Sequence, residues 1–221
     1  MRWTIENLGE CAWLAKPVDL PPEQTLAQIL AAAQALGGEP RLRTVHAGAH
    51  SLLLECDVGQ TLDPLALLAQ LGVLAPAQLD ARRPGRTLEV CFDGIDLEEV
   101  AGKLGLASGA LRAALCATDL EVAMLGFLPG FAYLRGLPPS LSLPRRSEPR
   151  ARVPGGSLAL GGSYLGVYPC AAPGGWHLLG SVAAPMFDPC RSPPATLSAG
   201  MRLRLVDRTD THTPDGIASY A

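Results

Sequence analysis

Lysine is nearly absent from this chain: only Lys16 and Lys103 stand among 18 basic residues, and the other 16 are arginines. Charge of any kind is sparse, at 18% of 221 residues, and it sums to −3. No basic surface of the kind that holds nucleic acid or an anionic membrane is therefore expected. No apolar run approaches the roughly 20 residues that cross a bilayer. The opening MRWTIENLGE lacks the basic and then greasy stretch of an export signal, which predicts a cytoplasmic protein. The six cysteines (Cys11, Cys56, Cys91, Cys116, Cys170, Cys190) form no CxxC pair, and His46, His50, His177 and His212 have no metal-ligand spacing. Reduced, mostly buried thiols and no metal are expected. There is no Walker-type glycine loop, so nucleotide is expected elsewhere than on this chain.

Hydrophobic residues, at 48%, are plentiful enough for one large domain or two small ones. The first third reads as two strands (Arg2–Asn7, Cys11–Lys16), a helix from Pro21-Pro22 to the Gly37-Gly38 stop, two more strands (Arg41–His46, Ser51–Cys56) and a helix opened by Asp63-Pro64. The register of VHAGAHSLLLEC is not set by its weak alternation. This order predicts a small α+β sandwich with both helices on one face of an antiparallel sheet. APAQLDARRPG at 75–85 is linker-like, so the expected division is 1–84, 85–210 and a frayed tail, 211–221. The second part opens with the strand RTLEVCF, a helix started by an Asp96-x-x-Glu99 capping box, and a short helix capped by Ser108. From Leu120 to the strand Met201–Asp207 it reads as all-β.

The densest chemistry lies between Met124 and Gly180, which holds 11 of the 24 glycines and 8 of the 20 prolines. Large apolar residues between them (Phe127, Phe131, Tyr133, Tyr168, Trp176) point to short strands joined by shaped loops, not to disorder. Between Glu121 and Asp188 the only acid is Glu148, against Arg135, Arg145, Arg146, Arg150 and Arg152, a local charge of +4. Guanidinium groups beside glycine-rich backbone suit a carboxylate, carbamate or phosphate; equally, they suit a solvated face paired with acids elsewhere. Pro144, Pro149 and Pro154 brace the segment that carries Arg145, Arg146, Arg150 and Arg152.

In GFLPGF, Gly126 and Gly130 flank Phe127 and Pro129 in a tight bend whose amides could face a ligand; Gly155 is counted in the same candidate substrate-binding set. Gly174 and Gly175 precede Trp176, a flat surface for a planar amide, and Tyr164, Tyr168 and His177 complete the candidate substrate-binding set. Turns and core aromatics are the alternative reading of the same residues. The region offers only Glu148, His177 and three phenols as acid or base, and Ser157 has no neighbouring base, so no catalytic residue is assigned.

Four motifs, GFLPGFAYL at 126–134, PRRSEPRARVPGGS at 144–157, GVYPCAAPGGWHLLG at 166–180 and FDP at 187–189, resemble the KipI/PxpB family, also called allophanate hydrolase subunit 1 or the carboxyltransferase C/D-subdomain family. The resemblance is dense from about Leu88 to Val206 and colinear before that. It implies a C-terminal cyclophilin-like β-barrel after the α+β domain. It also implies a subunit 2 partner (KipA or PxpC) and a third protein (PxpA), together forming an ATP-dependent 5-oxoprolinase that handles a small acid or amide. ATP would be used by a partner, with no cofactor bound here.

Departures are visible as well. GGSYLGVYP stands where relatives read AGxQTGIYP, and GGWHLLGSVAAP stands where GGWxLIGRTP is usual. Cys116 occupies a common histidine position, and the loop after the first barrel strand shortens to Asp93-Gly94-Ile95. Tyr164-Leu165 and Ser181-Val182 thus leave open a diverged enzyme with a more apolar substrate, or a non-catalytic regulator such as a histidine-kinase inhibitor.

Overall fold

The computed structural model describes residues 2–60, 62–74 and 85–209. The expected linker and the expected frayed tail lie outside the described residues, apart from Gly85. The chain divides into two compact units. One is drawn from the N-terminal third with the short stretches Ala123–Leu125 and Ser198–Gly200, the other from the remainder.

In the first unit the order is β1 (Arg2–Asn7), β2 (Ala12–Val18), α1 (Pro22–Leu36), β3 (Leu42–Ala47), β4 (Leu52–Cys56) and α2 (Pro64–Gly72). Pro21 is extended, at φ −66° and ψ 152°, and hands over to a proline at the first helical position, where a missing N–H costs nothing. The four strands form an antiparallel sheet in the order β1-β2-β4-β3. β4 alternates cleanly, with Leu52, Leu54 and Cys56 buried. β3 pairs with β4 through a register shift between Leu42 and Thr44, and Val45, His46 and Ala47 then stand opposite Leu54, Leu53 and Leu52. Trp3, Trp13, Ala15, Leu52 and Leu54 share one core with Ile29, Leu36, Leu67 and Leu71 of the two helices.

After the first third the elements are β5 (Arg86–Val90), α3 (Leu97–Lys103), α4 (Ser108–Ala117), β6 (Leu120–Leu125), β7 (Ala132–Arg135), β8 (Arg150–Val153), β9 (Ser157–Gly161), β10 (Tyr164–Val167), β11 (Ala172–Gly174), β12 (His177–Ser181) and β13 (Arg202–Asp207), all in the second unit except the last three residues of β6. Seven of these strands form one sheet in the order β12-β9-β10-β7-β6-β13-β5, antiparallel except for the parallel pair β13 and β5. The two ends of that sheet meet where Cys91 and Ser181 exchange N–H···O bonds of 2.9 and 2.7 Å. The sheet is thereby a nearly closed barrel, which removes its free edges. β8 and β11 form a separate two-stranded ribbon.

Two expected helix caps are not formed. Asp96 precedes α3 but makes no side-chain bond to its amides, and Glu99 pairs with Lys103 instead of reaching back. Ser108 is the first helical residue of α4, and its hydroxyl donates to Glu98 at 2.7 Å. All six cysteines are free. Among the described residues, no single helix is long and apolar enough to cross a membrane, and no group of three or more His, Cys, Asp or Glu could hold a metal ion.

Candidate functional site

GFLPGF forms two consecutive turns. The Leu128 N–H donates to Gly126 O at 2.9 Å across Phe127, whose φ is +71°, a γ-turn in its rarer and more strained form. The Phe131 N–H then donates to Leu128 O at 3.0 Å, with Pro129 in the second place and Gly130, at φ +83°, in the third, the residues a type II turn asks for. Gly126 N–H donates to Phe131 O at 3.1 Å, so the amides of residues 126, 128 and 131 are spent inside the loop, whereas the sequence suggests amides turned to a ligand. A side chain at Gly130 would meet Phe187 and the Met186 carbonyl at 2.7 and 2.8 Å, which fixes glycine there for a second reason.

Behind the loop lies an aromatic cluster with Phe131 at its hub. Its ring meets Phe127, Tyr133, Tyr168 and Trp176 edge-on at centroid distances of 5.0 to 5.5 Å, and Tyr164 joins through Tyr133 at 5.9 Å. Phe131, Tyr168 and Trp176 are buried, whereas Phe127 is 59% exposed. Glycines make room for the rings: a Cβ on Gly161 would stand 2.5 Å from Trp176, and one on Gly166 2.7 Å from Phe131. Gly174 lies directly against the Tyr168 phenol. Gly155 packs on the Cys170 backbone. Burial pushes the Tyr168 hydroxyl up from its ordinary range, against the pull of Arg145 and Arg150. Trp176 is therefore a core residue with Arg145 above its ring at 5.5 Å, not an open plate for a planar ligand.

The arginines do not all converge. Arg135 on β7 pairs with Glu121, and Arg152 is exposed on β8. Arg146 and Arg150 meet at Asp96, a carboxylate only 3% exposed. Asp96 Oδ1 accepts from Arg150 Nη2 at 2.7 Å and from Arg146 Nη1 at 3.4 Å, while Oδ2 accepts the Leu178 N–H at 2.7 Å. Burial drives this carboxyl upward, but the hydrogen bonds from Arg150 and Leu178 and the two guanidinium charges outweigh it, and the net direction is below the usual carboxylate range. Arg146 Nε and Arg150 Nη1 are buried and have no partner.

The backbone around the arginines is tied down. The Arg146 amide donates to Gly175 O at 2.8 Å, and His177 Nε2 donates to Pro144 O at 2.9 Å. His177 is 2% exposed, and its Nδ1 has no partner. Since a carbonyl can only accept, Nε2 carries a proton in this bond. Two guanidinium donors and a bound carboxylate can grip and orient an acceptor group. They do not by themselves supply a nucleophile.

Asp96 is the residue that sequence reasoning missed. The signal was present in the charge count, because a segment with five arginines and one acid needs a counter-charge from elsewhere.

The sequence profile described as "Carboxyltransferase domain, subdomain C and D" matches residues 3–197. The B component of the 5-oxoprolinase of Escherichia coli O157:H7, named as one of its subunits, is 44% identical over 117 residues, 53% of this chain and 54% of that protein. The chain thus matches about half the length of that curated relative. The crystal structure of TTHA0988 superposes with a TM-score of 0.78 at 34% identity, covering 89% of this chain and 39% of that one. The Kluyveromyces lactis urea carboxylase superposes at 0.71 with 15% identity, over 95% of this chain and 22% of that one, a likeness of fold alone. The chain belongs to the carboxyltransferase domain family, subdomains C and D, the KipI/PxpB group that its glycine, proline and arginine motifs resemble.

Proposed function

We propose that this chain is one component of an ATP-dependent 5-oxoprolinase, holding a small acid or amide at the Arg146/Arg150 face of its barrel. The observation that carries this reading is the gathering of those two arginines on buried Asp96 with an N–H of each left uncommitted. Relatives named as the B component of 5-oxoprolinase support it, and their naming as subunits supports a multi-chain assembly. The partner is a subunit 2 protein of the KipA/PxpC kind, which with a PxpA-like protein supplies the catalytic groups and the ATP site. The reaction is hydrolysis of an amide in the cytoplasm. The closing of the seven-stranded sheet on itself supports a cyclophilin-like class for the barrel, and the shared core of sheet and helices supports a sandwich for the N-terminal unit.

Tyr164-Leu165 and Ser181-Val182 are the sequence features that favour a diverged substrate. Leu165 and Val182 are buried, and the Ser181 hydroxyl donates to Asp93 at 3.0 Å, so three of these four departures have packing or local bonding roles. That favours 5-oxoproline over a more apolar substrate. The test is reconstitution: this chain, a subunit 2 homologue and a PxpA homologue are mixed with ATP and 5-oxoproline, and glutamate is measured. Turnover that requires this chain is expected; none with all three chains present overturns the reading.

A further inference from the structure

Asp96 stands where a helix cap belongs and does not cap. Its own amide donates to Leu178 O at 3.1 Å while its Oδ2 accepts the Leu178 N–H, so backbone and side chain are both clamped to β12. The loop before it lies flush on that strand: Gly94 N–H donates to Leu179 O at 3.2 Å, and a side chain at Gly94 would run into the β12 backbone. The carboxylate is thus fixed to the barrel wall. Two long side chains from different places, the loop before β8 and the first residue of β8, are fixed to the carboxylate.

Only part of each guanidinium is used in this way. A cluster serving stability alone would commit its buried donors, since an unsatisfied one costs about 1–3 kcal/mol. Here Arg146 Nε and Arg150 Nη1 are held out of water without a protein acceptor. One carboxylate against two guanidinium groups also leaves a local charge of +1. A single carboxylate completes that balance; a doubly charged phosphate overshoots it.

We propose that Asp96 is a positioning residue: it locks Arg146 and Arg150 so that Arg146 Nε–H and Arg150 Nη1–H are presented together to one carboxylate of a small ligand. This rests on the reading that the Arg146/Arg150 face binds substrate, and it adds how that face is built and which charge it takes. A bare counter-charge would act in the opposite sense, because removing Asp96's charge would leave +2 and strengthen binding of an anion. A positioning residue, once neutralised, releases both arginines and weakens it.

The experiment uses the full chain labelled with 15N-arginine, with Arg146→Lys and Arg150→Lys assigning the side-chain signals. Acetate and 5-oxoproline are titrated separately at pH 7 while the Arg146 Nε–H and Arg150 Nη–H signals are followed. In the wild type, acetate is expected to shift both. In Asp96→Asn the Nη–H signals of Arg150 are expected to collapse into an average, and about tenfold more acetate to be needed. An equal or stronger response of Asp96→Asn to acetate overturns the proposal, as does a wild type that acetate leaves unmoved. If Asp96→Asn does not fold, Asp96→Glu keeps the charge and moves it by one methylene; a response equal to wild type then overturns the proposal, and a weaker one supports it. A wild type that responds to acetate but not to 5-oxoproline removes the 5-oxoproline reading and leaves this one standing.

Discussion

Asp96 holds both backbone groups of Leu178, giving its N–H to the carbonyl at 3.1 Å and taking the amide hydrogen on Oδ2 at 2.7 Å. A carboxylate that closes a backbone pair and neutralises a guanidinium couples the site to the barrel's stability.

Asp96→Ala is expected to be strongly destabilising. It leaves Arg146 and Arg150, 28% and 20% exposed, without their counter-charge, and breaking such a pair typically costs about 3–5 kcal/mol. Urea unfolding should show a lower midpoint with an unchanged slope.

The same carboxyl sets an acid dependence. Its pKa in the folded chain is depressed, as is that of Asp207, where burial acts upward but the Arg112 and Thr209 bonds prevail. A depressed folded value contributes stability that is fully present above the unfolded value of about 3.9 and is lost as pH falls through the folded one. Charged neighbours of Asp96 are Arg150, Arg146 and Glu99. Unfolding free energy measured from pH 5 downward should fall less steeply in Asp96→Asn than in the wild type.

Gly174→Ala is expected to collide with the Tyr168 phenol and destabilise by about 1–3 kcal/mol. Because the hydroxyl is the first atom met, Tyr168→Phe should recover part of the loss, and a double-mutant cycle should give a coupling of about 0.5 kcal/mol or more. Additive effects would mean that the backbone moves aside instead.

Phe127→Gly tests whether strain at the GFLPGF turn has a use. Glycine adopts φ +71° freely, so stability is expected to rise by about 1 kcal/mol, less whatever the exposed ring contributes against Phe131 and Tyr168. Turnover in the reconstituted three-chain mixture is expected to drop, the pairing that strained residues at working sites show. Unchanged turnover would make Phe127 a surface residue only.

What could be read from the sequence was what local chemistry specifies. Pro21-Pro22, Gly37-Gly38 and Asp63-Pro64 punctuate the N-terminal elements, and the strand-strand-helix order repeats as they direct. The type II turn at Pro129-Gly130 is equally local. The barrel's order was not legible, because β13 pairs with β5 and β12 bridges to Cys91 across most of the unit, and no neighbouring residue encodes that. Asp96 illustrates the same limit at one position. An acid before a helix with Glu99 three places on looks like a capping box, and nothing nearby announces that arginines 50 and 54 residues later take the carboxylate.

The placing of β13 also fixes when this barrel can exist. Leu203 to Asp207 lie between Leu120–Glu121 on one side and residues 86–90 on the other, so the latest-made stave is inserted between two of the earliest. On a ribosome the growing chain carries β5 and β6 with their inner rims unmatched until β13 has left the exit tunnel. Closure of the second unit thus waits for residues 202–207, and a stalled product ending before residue 202 would present those rims to chaperones.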